Sequence, residues 1–161
     1  VTIARARSQR DLATIAELFA AYAASLDIDL AFQDFATELS TIPGKYAPPK
    51  GELLLAFLAS GTPVGCVGLR PLNSAGDCEM KRLYVLPAGR GFGIGASLVH
   101  EIIKIATKAG YRRMLLDTLP SMIAASALYR QFGFEPIEPY YANPIPGAIF
   151  LALKLPENVP G

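Results

Sequence analysis

The residues with the clearest chemical potential form one short run, Arg90-Gly91-Phe92-Gly93-Ile94-Gly95-Ala96. Three glycines at alternate positions leave few side chains between the backbone and a ligand. A helical pattern follows, so the first free N–H groups and positive dipole end of that helix face whatever the loop holds. Such a seat suits an anion, most often a phosphate. A dinucleotide is one candidate, because residues 91–96 satisfy G-x-G-x-x-A and Asp117 ends the next strand roughly 20 residues on. Three features oppose it. Pro87-Ala88-Gly89-Arg90 separate the loop from the strand before it, and the upstream strands read as an antiparallel meander. The residues beyond Asp117 are too few for a doubly wound sheet and end like a hairpin. A purely structural glycine turn is the third reading.

Other candidates are more scattered. Arg82 is charged inside an otherwise apolar strand, and Arg70 ends the neighbouring one. On a shared sheet face they could hold a substrate carboxylate in bidentate fashion; exposed strand ends or salt bridges are the competing account. His100 stands mid-helix, where a structural or surface role fits. Cys66 and Cys78 both lie in apolar strand patterns and read as buried thiols of a cytoplasmic protein. One His and two Cys give no metal-ligand spacing.

These groups must be positioned by the surrounding elements. Residues 1–7 alternate as a first strand, and Ser8-Gln9-Arg10-Asp11 resembles a capping box opening a helix to about Ser25. Leu12, Ile15, Ala16, Phe19 and Tyr22 recur on its apolar face. Asp27-Ile28-Asp29 breaks it. A shorter helix is expected over 32–41 with Phe32, Phe35, Ala36 and Leu39 inward, then a proline-rich loop over 42–49. Strands over 53–59, 64–69 and 78–86 are joined by short turns. After the glycine loop come a helix over 96–109, a strand over 113–117 and a helix over 123–131. Strands over 134–138 and 148–155 enclose an aromatic loop containing Tyr140 and Tyr141. The expected fold is α/β in an α+β-like arrangement: a mixed, mostly antiparallel central sheet flanked by helices, with one βαβ crossover.

The bulk numbers fit one domain over residues 1–161, with 52% hydrophobic and 18% charged residues. A net charge of +1 with dispersed basic residues gives no footprint for nucleic acid or an anionic membrane. No apolar run suggests a transmembrane helix, and Val1-Thr2-Ile3 reads as a strand rather than a signal peptide.

Residues 90–95 also match the Q/R-x-x-G-x-G/A signature of the GNAT superfamily of acyl-CoA N-acyltransferases. Leu83-Tyr84-Val85-Leu86-Pro87 resembles that family's strand into the loop, and residues 125–134, ASALYRQFGF, resemble its A-x-x-L-Y-x-x-x-G-F segment. With the order of elements, the resemblance covers nearly the whole chain. It implies an N-acetyltransferase that moves an acetyl group from acetyl-CoA to a small-molecule or amino-acid-like amine by direct attack in a ternary complex. A peptide or protein amine and a catalytically silent acyl-CoA-binding module remain the alternatives. A homodimer through a sheet edge is plausible.

The resemblance also implies site residues. The main chain of Arg90, Gly91, Phe92, Gly93, Ile94, Gly95 and Ala96 would hold the coenzyme A pyrophosphate, and Leu83, Tyr84 and Val85 the pantetheine arm, with Ala125 nearby. The cofactor would fit between diverging parallel strands. Tyr129 would lie near the sulfur as general acid, against a half-buried core role. Glu79, eleven positions ahead of Arg90, matches the spacing of a glutamate base in some relatives, against a solvated acid near Lys81. Tyr46 and Tyr140 fall in the two loops that shape the acceptor pocket in similar proteins. Asp117 is expected to cap the cleft edge or the following helix. Met122 stands where many relatives have Asn.

Overall fold

The computed structural model describes residues 1–26 and 29–157, and of Phe32 only the backbone. The chain runs β1 (Thr2–Arg5), α1 (Gln9–Leu26), a 3-10 turn at Ala31–Gln33, α2 (Phe35–Ser40), and a second turn at Gly44–Tyr46. Next are β2 (Glu52–Phe57), β3 (Pro63–Pro71) and β4 (Asp77–Val85). A turn at Pro87–Gly89 leads to α3 (Ile94–Lys108), then β5 (Arg113–Thr118), α4 (Ile123–Gln131), β6 (Glu135–Pro136) and β7 (Ile149–Lys154). The strands make one sheet in the order β1-β2-β3-β4-β5-β7-β6, antiparallel except between β4 and β5.

The capping box at the start of α1 is formed. Ser8 Oγ accepts from the Asp11 amide at 3.0 Å, and Asp11 returns by accepting from the amides of Arg7 and Ser8. The expected helix over 32–41 is instead interrupted. Asp34 adopts a left-handed conformation (φ 55°), ending the 3-10 turn and starting α2. That rotates the face of α2, so Ala36 is exposed rather than inward, while Phe35 and Leu39 pack against the sheet. The expected helix break at Asp27 and Ile28, and the inward placement of Phe32, lie outside the described residues.

Each sheet face carries its own core. Ile94, Leu98, Val99 and Ile102 of α3 pack with Leu54, Val67, Leu69 and Met80 on one face. Ile15, Leu18 and Phe19 of α1 pack with Leu53, Leu55, Cys66 and Tyr46 on the other. Burying one such aliphatic or aromatic side chain contributes about 1.5–3 kcal/mol, so the two helix stripes hold the sheet from both sides. Both cysteines are free and buried.

Tyr46 shows how tightly the α1 face closes. A Cβ at Gly68 would stand 2.7 Å from the Tyr46 ring, so the glycine makes room for it. Among the described residues the buried Tyr46 hydroxyl has no hydrogen-bond partner. Replacing Tyr46 by Phe removes that unsatisfied group and keeps the ring. The expected result is a gain of up to about 1 kcal/mol in a urea-unfolding measurement.

β4 departs from regular pairing twice. Cys66 faces Tyr84 and Gly68 faces Lys81, so Val67 alone stands opposite both Arg82 and Leu83. The extra residue is a bulge, with Arg82 at φ 61°, a left-handed conformation costly for a side-chain-bearing residue. Its effect is on side-chain parity. Met80, Leu83 and Val85 join the α3-side core, whereas Lys81 and Arg82, adjacent in sequence, both reach the α1–α2 side. Second, β4 pairs with β5 only from Asp77 to Glu79, opposite Arg113 to Leu115. Beyond that the strands part, and the β5-facing main chain of residues 83–85 has no strand partner.

Candidate active site

The parting of β4 and β5 opens a cleft at the start of α3. One wall carries Leu83, Tyr84, Val85, Arg90 and Gly95; the other carries residues 121–125 and Leu128 at the start of α4, around about 1480 Å³. Deeper in, a small cavity of about 40 Å³ is lined by Gln33, Lys81, Arg82, Asp117, Tyr129 and Asn143, among others. The two spaces share Tyr22, Leu26, Leu83 and Met122, so they adjoin.

The glycine loop follows the turn after β4 rather than closing it, as opposition to a dinucleotide site requires. Gly91 (φ 88°) and Gly93 (φ 70°) are left-handed, and a Cβ at either would meet no atom within 4 Å. Gly93 is the N-cap of α3 and supplies no side-chain cap, so the first amides of a 15-residue helix open onto that bare surface. Phe92 is exposed, and the Ile94 side chain is buried in the core; both can serve a ligand there only through the main chain. Arg90 donates from Nε to the Val85 carbonyl at 3.3 Å. Ala96 and the exposed His100 line a separate surface hollow.

Tyr129 projects from α4 and is 5% exposed. Its ring packs on Phe134 at 5.7 Å. Its hydroxyl makes no hydrogen bond among the described residues. Burial, with Tyr22 and Asp117 nearby, pushes its pKa well up, so it is a proton donor throughout the neutral range.

Asp117 sits at the end of β5 on the cavity wall. Its Oδ2 accepts from the Tyr141 hydroxyl and from Asn143 Nδ2, the latter at 3.0 Å. It belongs to the cleft and does not cap α4, whose N-cap is Met122. Tyr141 also accepts from Gln33 Nε2 at 2.8 Å. Gln33 Oε1 in turn accepts from Arg82 Nη1 at 2.7 Å and Lys81 Nζ at 3.2 Å. Gln33 and Tyr141 thus tie the loop before α2 to the loop before β7 and roof the cavity.

Behind this wall lies an ionic cluster. Arg82 forms a bidentate pair with Glu38, both contacts at 3.0 Å, and its guanidinium lies over Phe35 at 5.0 Å. Glu79 accepts from Arg70 Nε at 2.7 Å and from the Tyr140 hydroxyl at 2.5 Å. Burial alone would raise the Glu79 pKa, but Lys81 and Arg70, with the Tyr140 hydroxyl, hold it below the ordinary value. The expected base is therefore a buried anion with both oxygens engaged, and it lines neither cavity. Arg70 and Arg82 do share a sheet face, yet each is paired to a glutamate of the protein. Tyr140 is turned onto Glu79, and Tyr46 lines a separate hollow with Glu38, Thr41 and Arg70. Of the sequence candidates, the cleft and cavity bring together Leu83, Tyr84, Val85, Arg82, Arg90, Gly95, Ala125 and Tyr129.

Lys81 is the group that sequence reading passed over. It is 5% exposed, and burial pushes its pKa down from 10.5 to about 8, with Glu79 opposing the shift. Between those two values the unfolded chain binds more protons than the folded one, so stability rises with pH across that window. The expected result is that Lys81→Met is more stable than the parent near pH 7, and that the gap narrows from pH 8 to 10. Denaturant midpoints at a pH series check it.

The sequence pattern of the Acetyltransferase (GNAT) family matches residues 14–134. The chain belongs to the GNAT acetyltransferase family. An uncharacterized N-acetyltransferase of Schizosaccharomyces pombe is 42% identical over 155 residues, covering 96% of this chain and 95% of that protein. A GNAT-family acetyltransferase from Staphylococcus aureus shares the fold with a TM-score of 0.79 at 21% identity, covering 96% and 99% of the two chains. A GNAT phosphinothricin acetyltransferase from Sinorhizobium meliloti, solved with AcCoA, gives 0.70 at 22% identity over 96% and 88%. The protein is therefore an acyl-CoA-dependent N-acetyltransferase, with the mixed sheet expected of a GNAT enzyme.

The bare glycine surface beneath open helix amides fits a pyrophosphate, and the unpaired β4 edge fits the amide-bearing arm of coenzyme A. Met122 touches both cavities and accepts from Thr118 Oγ1 at 3.6 Å through sulfur. As the N-cap of α4 it offers no strong acceptor. Met122→Asn is expected to add about 1 kcal/mol by capping α4, read as a raised thermal midpoint.

Proposed function

We propose that this enzyme moves the acetyl group of acetyl-CoA to the primary amine of a small, amino-acid-like molecule, by direct attack in a ternary complex. The observation that carries the reading is the juxtaposition of two spaces: a cleft beside the glycine loop adjoins a cavity lined by Tyr129. Residues 90–96 and the edge of β4 would hold the coenzyme, which supplies an activated acetyl thioester. The bridge from Gln33 to Tyr141 beside the cavity favours a small acceptor over a peptide.

The chain's own groups divide the work. An ammonium must lose its proton before attack. Among the described residues Asp117 is the carboxylate on the cavity wall, placed to receive the ammonium and pass its proton, directly or through water. Glu79, held as an anion behind the wall, positions Lys81 and Arg70 instead. The β5-side main chain of residues 83–85, without a strand partner, would offer its outward N–H groups where a developing oxyanion needs donors. Tyr129 donates its phenolic proton to the departing thiolate. Both cysteines are buried within strands, Cys66 donating to the Arg82 carbonyl and Cys78 to that of Arg113, which supports direct transfer over a covalent acyl-enzyme. Free thiols, with no described helix long and apolar enough to cross a membrane, support a cytoplasmic setting.

Thiol release from acetyl-CoA across a panel of small amines and short peptides tests the reading. Amine-dependent release with small acceptors is the expected result. Coenzyme binding without release for any amine would overturn it in favour of a binding module.

A further inference from the structure

The charges around the acceptor cavity balance in number but not in pairing. Arg70, Lys81 and Arg82 stand among Glu38, Glu79 and Asp117, and only Arg70 and Arg82 hold a carboxylate at 3.0 Å or less. Arg82 is held by a bidentate pair with Glu38 and a third hydrogen bond to Gln33. Glu79 spends its oxygens on Arg70 and Tyr140. Lys81 is left with one hydrogen bond, to Gln33 Oε1 at 3.2 Å, and stands 4.0 Å from Glu79. An ammonium has three donors. Of the two cations that line the cavity, Lys81 and Arg82, it is the one without a close carboxylate partner behind the wall.

Asp117 lines the same cavity. Its Oδ2 takes Tyr141 and Asn143, while Oδ1 has no hydrogen-bond partner among the described residues. The two groups form no ion pair with each other within 4.0 Å. The cavity therefore presents one cation without a close carboxylate partner and one open carboxylate oxygen. A buried cation short of partners weakens a fold, and such a residue is expected where a ligand completes it.

We propose that the acceptor is a free amino acid, its carboxylate received by Lys81 Nζ and its ammonium by Asp117. This rests on the acetyl-transfer reading and adds the second charge to the substrate. Regular alternation from Glu79 sets Lys81 on the face where Gln33 lies, and the bulge at Arg82 brings that residue to the same face. Arg82, held by a bidentate pair with Glu38 and by Gln33, fixes that wall and leaves the carboxylate to Lys81.

The test uses matched sets: each of the common amino acids, its methyl ester or carboxamide, and the corresponding decarboxylated amine. Thiol release from acetyl-CoA is measured for each. For the best acceptor, kcat/KM of the free acid should exceed its neutral counterparts by about 30- to 100-fold, the scale of one charged hydrogen bond. In Lys81→Met that ratio should collapse toward one, and in Lys81→Arg it should partly recover. Unchanged affinity for coenzyme A shows that the variants are folded. Neutral amines used as well as free acids, or a ratio preserved in Lys81→Met, would overturn the proposal while leaving acetyl transfer standing. If no amine releases thiol, calorimetric titration of the same sets into the coenzyme A complex decides it. Tighter binding of free acids that is lost in Lys81→Met sustains the site, and equal or absent binding of free acids overturns it.

Discussion

Replacing Tyr129 by Phe should lower turnover by about two to four orders of magnitude, the usual reach of a positioned acid, and leave coenzyme A binding nearly intact. The change is small in every other respect. The ring keeps its contact with Phe134 and its place in the core around α4. The hydroxyl makes no hydrogen bond within the described residues, so no internal partner is orphaned. What is lost is a protonated phenol beside the cavity, kept protonated by burial and by the negative charge of Asp117. A loss confined to kcat, with KM for acetyl-CoA little changed, is the signature of an interaction made in the transition state. Steady-state rates with calorimetric coenzyme A affinities read both. An unchanged kcat would remove Tyr129 from the chemistry.

Gly93→Asp should abolish measurable coenzyme A binding, weakening it by at least about 100-fold, since a like charge at an anion seat costs several kcal/mol. The backbone there is left-handed and the space beside it is open. Asp is among the side chains that tolerate this conformation, and it caps helices well, so α3 should survive. Its carboxylate then occupies the positive end of α3, where the pyrophosphate would lie. Gly93→Asn adds the same bulk without charge and should weaken binding far less. Titration of coenzyme A into each folded variant separates the two terms; equal affinities for parent and Asp variant would refute the seat.

The donor side was largely legible in the sequence because its signals are local. Glycine spacing, the apolar run before it and ASALYRQFGF after it lie on consecutive elements. The alternating strands likewise predicted the meander, and the capping residues at Ser8 and Asp11 marked the start of α1. The acceptor side was legible only in part. Gln33, Lys81, Asp117 and Tyr141 meet through hydrogen bonds between residues far apart in the chain, and no periodicity records such a meeting. Asp117 drew attention for the wrong ligand, a ribose. Glu79 drew it by spacing, but spacing does not reveal that Arg70 and Tyr140 occupy its oxygens. The bulge hid the neighbourhood of Lys81: strict alternation along β4 sets Arg82 on the face opposite Glu79 and Lys81, and one left-handed residue brings it to theirs. Ala36 was misplaced for a similar reason, since Asp34 breaks the helical phase.

The two halves of the cleft differ in how they are threaded. Everything proposed to hold the coenzyme lies in one uninterrupted stretch, residues 83–129, whereas the roof over the acceptor is sewn from two outlying segments near Gln33 and Tyr141. Recombination or loop exchange at those segments can therefore change which amine is accepted without redrawing the coenzyme seat. Lys81 and Asp117 belong to β4 and β5 rather than to the roof, so a graft that changes the roof but keeps these two should retain the demand for a zwitterion while altering the side chain it tolerates.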